Sequence, residues 1–436
     1  MKNNFFLVAP TCLAILAIAG MQDASARTET TLSSGWRFAK IDSLGKQADW
    51  QNVRVPHDWA VHEPFDRSHD LQTVAVEQNG ETEKTEKTGR TGGLPYMGKG
   101  VYTTDFQVAD TTGLVYTLVF DGAMSNPSVE VNGTNVGGWA YGYNSFFLNL
   151  PQGVIRPGNN TIRVALENKP QSSRWYPGAG LYRNVHLVAT SKIHIPVWGT
   201  HLTTPYVTAD EASIHLTMDI EGATKGQAVE VKTDIIDQSG KTVATNNTLY
   251  HSHGQPFHQN FLVAKPMLWD TETPNLYSAR TTLSIDGKPV DEYTTRFGIR
   301  SIEYIPEKGF FLNGKYTKFK GVCNHHDLGP LGAAVNRAAL RHQIELLKDM
   351  GANAIRTSHN MPAPELVELC DEMGMMLMVE PFDDWGFRPK SPNGYGSIFG
   401  EWAEKDMVNM IRHYRNSPSV VMWSIGNEVP SQWGPD

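Results

Sequence analysis

Near Ile302 the hydrophobic pattern changes period, and that change commits the chain to at least two kinds of domain. Before it, apolar residues alternate with polar ones, as on half-buried strands. Ile162, Val164 and Leu166 do so, as do Ile214, Leu216, Met218 and Ile220, then Val229, Val231 and, further along, Ile235. Residues 114–120 read as one more strand. Val129-Glu130-Val131 runs into Asn132-Gly133 and Leu283-Ser284-Ile285 into Asp286-Gly287, both two-residue hairpin signals. After Ile302, strands alternate with helices. The spacing predicts strands over 317–322, 354–356, 375–379 and 420–423. Between them lie three helices, carrying Leu340, Ile344 and Leu347, then Leu366, Cys370 and Met373, then Met407, Ile411 and Tyr414. Gly351 and Gly374 end the first two.

A chain of 436 residues is too long for one ordinary domain. The expected architecture is a β jelly-roll sandwich over 27–190, an immunoglobulin-like β-sandwich over 191–300, and the first half of a (β/α)₈ TIM barrel over 301–436. A whole barrel takes eight strands and about 250 residues, so this chain is expected to be a C-terminally truncated fragment of a longer protein. Residues 1–26 read as an export signal: Lys2, an apolar run from Phe5 to Ala19, and the small-x-small site Ala24-Ser25-Ala26. The alternative, a membrane anchor, meets an apolar run short for a span. The expected location is secreted or periplasmic. Residues 77–93 are polar and Gly/Thr-rich, and predict a mobile loop.

A net charge of −8, with both signs interspersed, argues against nucleic acid as a partner. Eleven tryptophans suit sugar rings, but they equally fill large β cores. After signal cleavage only Cys323 and Cys370 remain, too few for a disulfide framework, and both are expected to be buried small hydrophobes.

The chemistry of a parallel barrel sits at the C-terminal ends of its strands. Four successive strand ends here carry polar clusters: Asn324-His325-His326-Asp327, Arg356-Thr357-Ser358-His359-Asn360, Glu380-Pro381-Phe382-Asp383-Asp384-Trp385, and Asn427-Glu428. One such cluster is ordinary loop polarity, whereas four in phase favour a site. Glu428 is the candidate acid/base of a glycosidase, with Asn427 placed to bind a sugar hydroxyl. Arg356 reads as a structural ion-pair partner for neighbouring carboxylates. His325 and His326 could bind metal, but adjacent strand residues point to opposite faces. In the first domain, Arg174 beside Trp175 and Tyr176 either binds sugar or braces a domain interface.

These segments together resemble glycoside hydrolase family 2. The resemblance is carried by GVCNHHDLGPLGAAVN, RTSHNMPAPELVELCDEMG, VEPFDDW and WSIGNE, with VPHDWAVHEPFD, SSRWYPGAGLYRNVHLV and LWDTETPNLY in the β domains. It covers nearly everything from Leu32 onward, and HHDLG with SRWYPGAG suggests the bacterial β-galactosidase branch. It implies a sugar-binding jelly roll, an immunoglobulin-like domain and a barrel that hydrolyses terminal β-galactosides with retention. It gives Glu428 the acid/base role and Asn427 the 2-hydroxyl contact. It implies substrate contacts at His359, His326, Asp327, Asp384, Trp385 and Arg174. The nucleophile, expected at the seventh strand end, is missing with strands five to eight, so this chain alone is expected to be inactive. Some members hold magnesium through a His after strand three, where this chain reads Asp384-Trp385-Gly386. No metal and no cofactor are therefore expected. The expected partner is a β-linked oligosaccharide or glycoside, and homo-oligomer formation stays open. The alternatives are a β-glucuronidase or β-mannosidase of the same family, or a non-catalytic carbohydrate-binding protein.

Overall fold

The computed structural model describes residues 27–429 except 70–72, 75–84, 87–91, 93 and 388. The expected export signal lies outside these residues, as does nearly all of the expected mobile loop. Among the described residues, no helix is long and apolar enough to cross a membrane.

Two β-sandwiches come first. One sheet of the first sandwich is built from Thr28–Thr31, Val185–Ser191, Leu114–Phe120 and Phe146–Asn149. The other runs Gln51–Val53, Trp36–Ile41, Gly98–Val108, Gly158–Asn168, Ser128–Val131 and Thr134–Gly138. The alternation read from sequence turns Ile162, Val164 and Leu166 into the space between the sheets, where they meet Leu118, Phe120 and Phe146. Asn132 and Gly133 both have positive φ, 51° and 79°, the geometry a tight two-residue turn requires. The second sandwich pairs a sheet of Thr200–Val207, Glu211–Met218 and Phe257–Ala264 with one of Thr242–His251, Ala228–Ile236, Tyr277–Ile285 and Lys288–Phe297. Ile214, Leu216, Met218, Val229, Val231 and Ile235 form its core.

A partial TIM barrel follows. Four parallel strands, β1 (Gly321–Asn324), β2 (Ala354–Thr357), β3 (Met376–Val379) and β4 (Val420–Trp423), lie side by side in chain order. Helices α1 (Arg337–Asp349), α2 (Pro364–Met373) and α3 (Phe399–Tyr414) connect them. The Asn336 side chain caps α1 by accepting from the Ala339 N–H. Gly374 ends α2 at φ 69°, and a Cβ there would come within 2.6 Å of the Thr271 carbonyl, so glycine is required twice over. At the foot of the strands, Trp269 of the second sandwich is wholly buried against Phe310, Leu312, Met376 and Val421.

Two expectations need correction. The first parallel strand begins at Gly321, not at residue 317. Lys315–Tyr316 instead pairs back on Gly309–Leu312, and the Asn353 side chain bonds the Lys320 N–H and the Lys318 carbonyl, holding 317–320 out of the sheet. Cys370 is buried, but Cys323 is exposed. Cys323 is in register with Arg356, on the inward face of the parallel strands, and not on the helix-covered face.

The first sandwich is joined to the barrel by buried polar groups. The Asp58 carboxylate accepts from Tyr176 Oη at 2.6 Å, from the Ala179 N–H at 2.9 Å and from the Ala333 N–H at 2.8 Å. It thus ties the segments VPHDW and RWYPGAG to the loop after β1. Asp406 of α3 accepts from Trp139 Nε1 and Asn144 Nδ2, and from the Tyr395 hydroxyl. Burial pushes its carboxyl above the usual range, and the bonds from Tyr395, Asn144 and Trp139 oppose that only in part.

Replacing Asp58 by alanine strands these buried donors, each costing about 1–3 kcal/mol when left unpaired. Asp58→Ala is expected to lower stability by roughly 3–5 kcal/mol. Asp105→Ala, on an exposed strand face, should cost under about 0.5 kcal/mol. Urea unfolding midpoints compare the two, and an Asp58 variant no weaker than the Asp105 one contradicts the bridging role.

Candidate active site

Glu380, the first residue after β3, is wholly buried and anchors the site. Arg356 grips it with two parallel bonds, both 2.9 Å, from Nε and Nη2. His359 Nδ1 lies 2.6 Å from its Oε1, and Ser424 Oγ donates to its Oε2 at 2.7 Å. Burial alone would raise this carboxyl. The bonds from His359, Ser424 and Arg356 outweigh it and hold Glu380 below the usual carboxylate range.

Asn427 is the next link. Its Oδ1 accepts from Arg356 Nη2 at 3.0 Å, and its Nδ2 donates to Asp383 Oδ1 at 2.8 Å. Its backbone is pinned as well, the N–H donating to the Phe382 carbonyl and the carbonyl accepting from Trp385 Nε1. Asp383, also buried, takes two bonds from Arg174, at 2.7 and 3.0 Å, and one from Lys390 Nζ at 3.0 Å. Burial pushes Asp383 up, but Arg174, Asn427 and Lys390 pull its pKa down to about 2.

Glu428 ends the chain of contacts. Its carboxylate is half-exposed and accepts from Lys390 Nζ at 2.8 Å and from Arg174 Nη2 at 3.2 Å. The Lys390 bond is the main cause that holds Glu428 below the usual carboxylate range. Its backbone sits at φ 47°, a left-handed conformation costly for a residue with a Cβ. Gly426 precedes it because a Cβ there would come 2.6 Å from the Trp385 ring. Three carboxylates, Glu380, Asp383 and Glu428, thus face three cations, Arg356, Arg174 and Lys390, in one continuous network.

The other expected site residues divide. His359 lies at the mouth, with Trp175 and His325 packed beside it at ring separations of 6.0 and 5.6 Å. The polar atoms or ring faces of the other four make contacts within the scaffold. His326 turns under the first sandwich, with Nε2 at 3.1 Å from the Pro177 carbonyl and its ring against Tyr143 and Tyr182. Asp327 accepts from the Gly329 N–H. Asp384 accepts from the backbone N–H groups of Trp385, Lys390 and Gly396, bracing its own loop. Trp385 is buried against Phe382 and Phe399. Among the described residues no group of three or more His, Cys, Asp or Glu has a metal-binding arrangement.

Sequence reasoning missed Lys390, Asp383 and Glu380 as site residues. The two acids stand in a strand-end cluster, but adjacency gives no sign of which of Asp383 and Asp384 faces the mouth. Lys390 sits in an irregular loop, where no periodicity marks it.

Comparison with known proteins gives the family of the chain. The profile of the glycosyl hydrolases family 2 TIM barrel domain matches residues 304–434, and a second profile, glycosyl hydrolases family 2, matches residues 194–300. The chain is 39% identical over 422 residues to beta-galactosidase BoGH2A of Bacteroides ovatus, covering 94% of this chain and 47% of that protein. It is 26% identical over 427 residues to a beta-glucuronidase of Bacteroides fragilis, covering 92% and 56%. A crystal structure of a glycosyl hydrolase family 2 member from Bacteroides cellulosilyticus superposes with a TM-score of 0.83 at 32% identity, over 93% of this chain and 52% of the other. A beta-glycosidase from Bacteroides vulgatus gives 0.80 at 34% identity, over 93% and 51%. The chain spans about half the length of the curated relatives it matches.

Two outcomes follow from the charge network. Lys390→Met removes the main group favouring ionised Glu428, so the Glu428 midpoint should rise, read by ¹³C titration of its carboxyl. An unmoved midpoint contradicts the assignment. Asp383 has a depressed pKa, so its stabilisation is present above the unfolded value of about 3.9 and fades as pH falls towards about 2. Asp383→Asn should therefore be less stable than wild type at neutral pH. The gap in urea midpoint should narrow steadily as the pH is lowered from about 5 towards 2.

Proposed function

The chain belongs to glycoside hydrolase family 2, and on that premise we propose that it is the acid/base-bearing part of an enzyme that hydrolyses terminal β-D-galactosides with retention. The observation that carries this reading is Glu428 itself. It is a half-exposed carboxylate held in a strained backbone at a parallel strand end, flanked by Asn427 and by Arg174 from another domain. In a retaining reaction one carboxylic acid protonates the leaving oxygen while a second carboxylate, about 5–5.5 Å away, attacks the anomeric carbon. Glu428 takes the first role. In the second step, ionised, it draws a proton from the water that releases the sugar. Its contacts with Lys390 and Arg174 favour the ionised form, which suits that second step. Glu380 and Asp383 do not fit as nucleophiles, because both are buried and held by donors. The reading requires a facing carboxylate from a later strand of the barrel, the seventh by family resemblance.

The name of the B. ovatus relative supports a galactoside. The network supports a neutral sugar too: Arg174, Lys390 and Arg356 are each paired to a carboxylate, so none of these three is free for a uronic acid. The B. fragilis relative favours β-glucuronide hydrolysis as the second reading. We read the first sandwich as a jelly roll over 27–190, the second as an immunoglobulin-like domain over 191–300, and residues 301–436 as the N-terminal half of the barrel. Residues 1–26 are read as an export signal, giving a secreted or periplasmic protein.

The test uses the full-length protein. Glu428→Gln is expected to lower kcat/KM on an unactivated β-galactoside by about 10²- to 10⁴-fold. The loss should be smaller on an aryl galactoside, whose leaving group needs little protonation. Equal losses on both substrates remove the acid role. Faster cleavage of the matching glucuronide moves the assignment to β-glucuronidase. The 436-residue chain alone is expected to show no turnover.

A further inference from the structure

The outer face of one sheet in the second sandwich gathers histidines that the site described so far does not use. Strands Thr200–Val207, Glu211–Met218 and Phe257–Ala264 lie side by side in that order. Ile214, Leu216 and Met218 turn into the core, so His215 and Thr217 turn outward. By register, His201 and His258 flank Thr217 from the two neighbouring strands, and His215 stands two residues along the middle strand. Side chains on one face of adjacent strands can meet, which successive residues of one strand cannot. His325 and His326 illustrate the second case, with His326 enclosed under the first sandwich against the Pro177 carbonyl.

His215 and His258 do meet. His215 Nε2 lies 3.3 Å from His258 Nδ1, and the two ring planes are 89° apart. Two nitrogens at that separation, each about 2.1 Å from one ion, subtend an angle of about 105° at it, close to tetrahedral. In the hydrogen-bonded pair, one ring N–H donates to the lone pair of the other ring. For both to ligate, that proton moves to the far nitrogen of its own ring, or to solvent where the ring is charged, and both lone pairs are then free. Each ring must also swing its lone pair off the line between the nitrogens. His258 is exposed and His215 half-buried, so both have room to turn and an ion has access. Thr217 Oγ1, 3.0 Å from His258 Nδ1, places a neutral oxygen beside the pair. Burial first, and then Arg415, hold His201 below the ordinary histidine range, so the third ring adds no positive charge there.

We propose that His215 and His258 form a two-histidine site for a divalent transition-metal ion of the class that imidazole favours, Zn²⁺ or Cu²⁺, with water completing its coordination. The ion clips Glu211–Met218 to Phe257–Ala264. The opposite edge of the same sheet carries the barrel: Arg415 donates to the Thr200 carbonyl, and Asn416 Oδ1 accepts from the Leu202 N–H. Bound metal therefore stiffens the sheet on which the barrel stands. The proposal is independent of the glycosidase reading of Glu428.

The experiment titrates Zn²⁺ into the chelator-treated full-length protein by calorimetry. A site is expected that weakens about tenfold or more in His215→Ala and in His258→Ala, equivalent to about 1.4 kcal/mol of lost chelation. A second measurement needs no variant: electron paramagnetic resonance with one equivalent of Cu²⁺ should show two imidazole nitrogens bound in wild type. Saturating Zn²⁺ should also raise the urea unfolding midpoint of wild type, because the ion binds the folded pair. Zn²⁺ binding that is absent from wild type, or that either substitution weakens by less than the stated factor, overturns the proposal. So does a Cu²⁺ spectrum with fewer than two imidazole nitrogens.

Discussion

Arg183 is wholly buried, and among the described residues no carboxylate forms a salt bridge with it. Its guanidinium donates instead to carbonyl oxygens of Asp121, Tyr143, Met361 and Pro362, at 2.8 to 3.2 Å, and lies 4.9 Å from the Tyr182 ring centre. A charge taken out of water must be solvated by something, and here backbone dipoles from two domains do it. The two barrel carbonyls belong to the loop after β2, which also carries His359. Separating the sandwich from the barrel would break the two bonds from Arg183 to the Met361 and Pro362 carbonyls. These bonds hold the first sandwich over the strand ends, and with it the loop that delivers Arg174.

The network at the strand ends depends on this fixed docking. Glu380, Asp383 and Glu428 would repel one another if they shared the mouth alone. Two of the three cations that balance them, Arg356 and Lys390, come from the barrel, and the third comes from the sandwich. The order of burial matters. Glu380 and Asp383 lie deep and are saturated with donors, so their charges are structural. Glu428 is the outermost and the least enclosed, bonded by two cations and otherwise open to solvent. Among acids of one cluster, the exposed member with the fewest fixed donors is the one free to change protonation.

Much of this was legible in the sequence, because it is local. Alternation at Ile162 to Leu166 or Ile214 to Met218 needs only one sheet face to be buried. The Asn132-Gly133 and Asp286-Gly287 turns follow from which residues tolerate positive φ. The helices around Leu340 and Cys370 follow from apolar spacing. The strand-end clusters, with Glu428 last among them, were visible for the same reason. What stayed hidden is set by partners far away in sequence. His326 differs from His359 only because Pro177 and Tyr143 of another domain close over it. Asp384 differs from Asp383 only through which neighbour its loop turns inward. The four-residue shift in the first parallel strand comes from Asn353, over thirty residues downstream.

The motif around Asp58 connects these two kinds of information. By sequence, VPHDW stands out but has no readable role, since it carries no strand pattern and no paired acid. In the fold it organises RWYPGAG: Asp58 holds Tyr176 and Ala179 on one side and Ala333 of the barrel on the other. Tyr176 is two residues from Arg174, so the position of the Glu428 cation is set by a carboxylate over a hundred residues earlier. A displacement of about 1 Å in such a contact is enough to degrade catalysis by orders of magnitude. An isolated barrel would therefore have Glu428 without the geometry that controls its charge, and the sandwich is as much a part of this charge network as the barrel is.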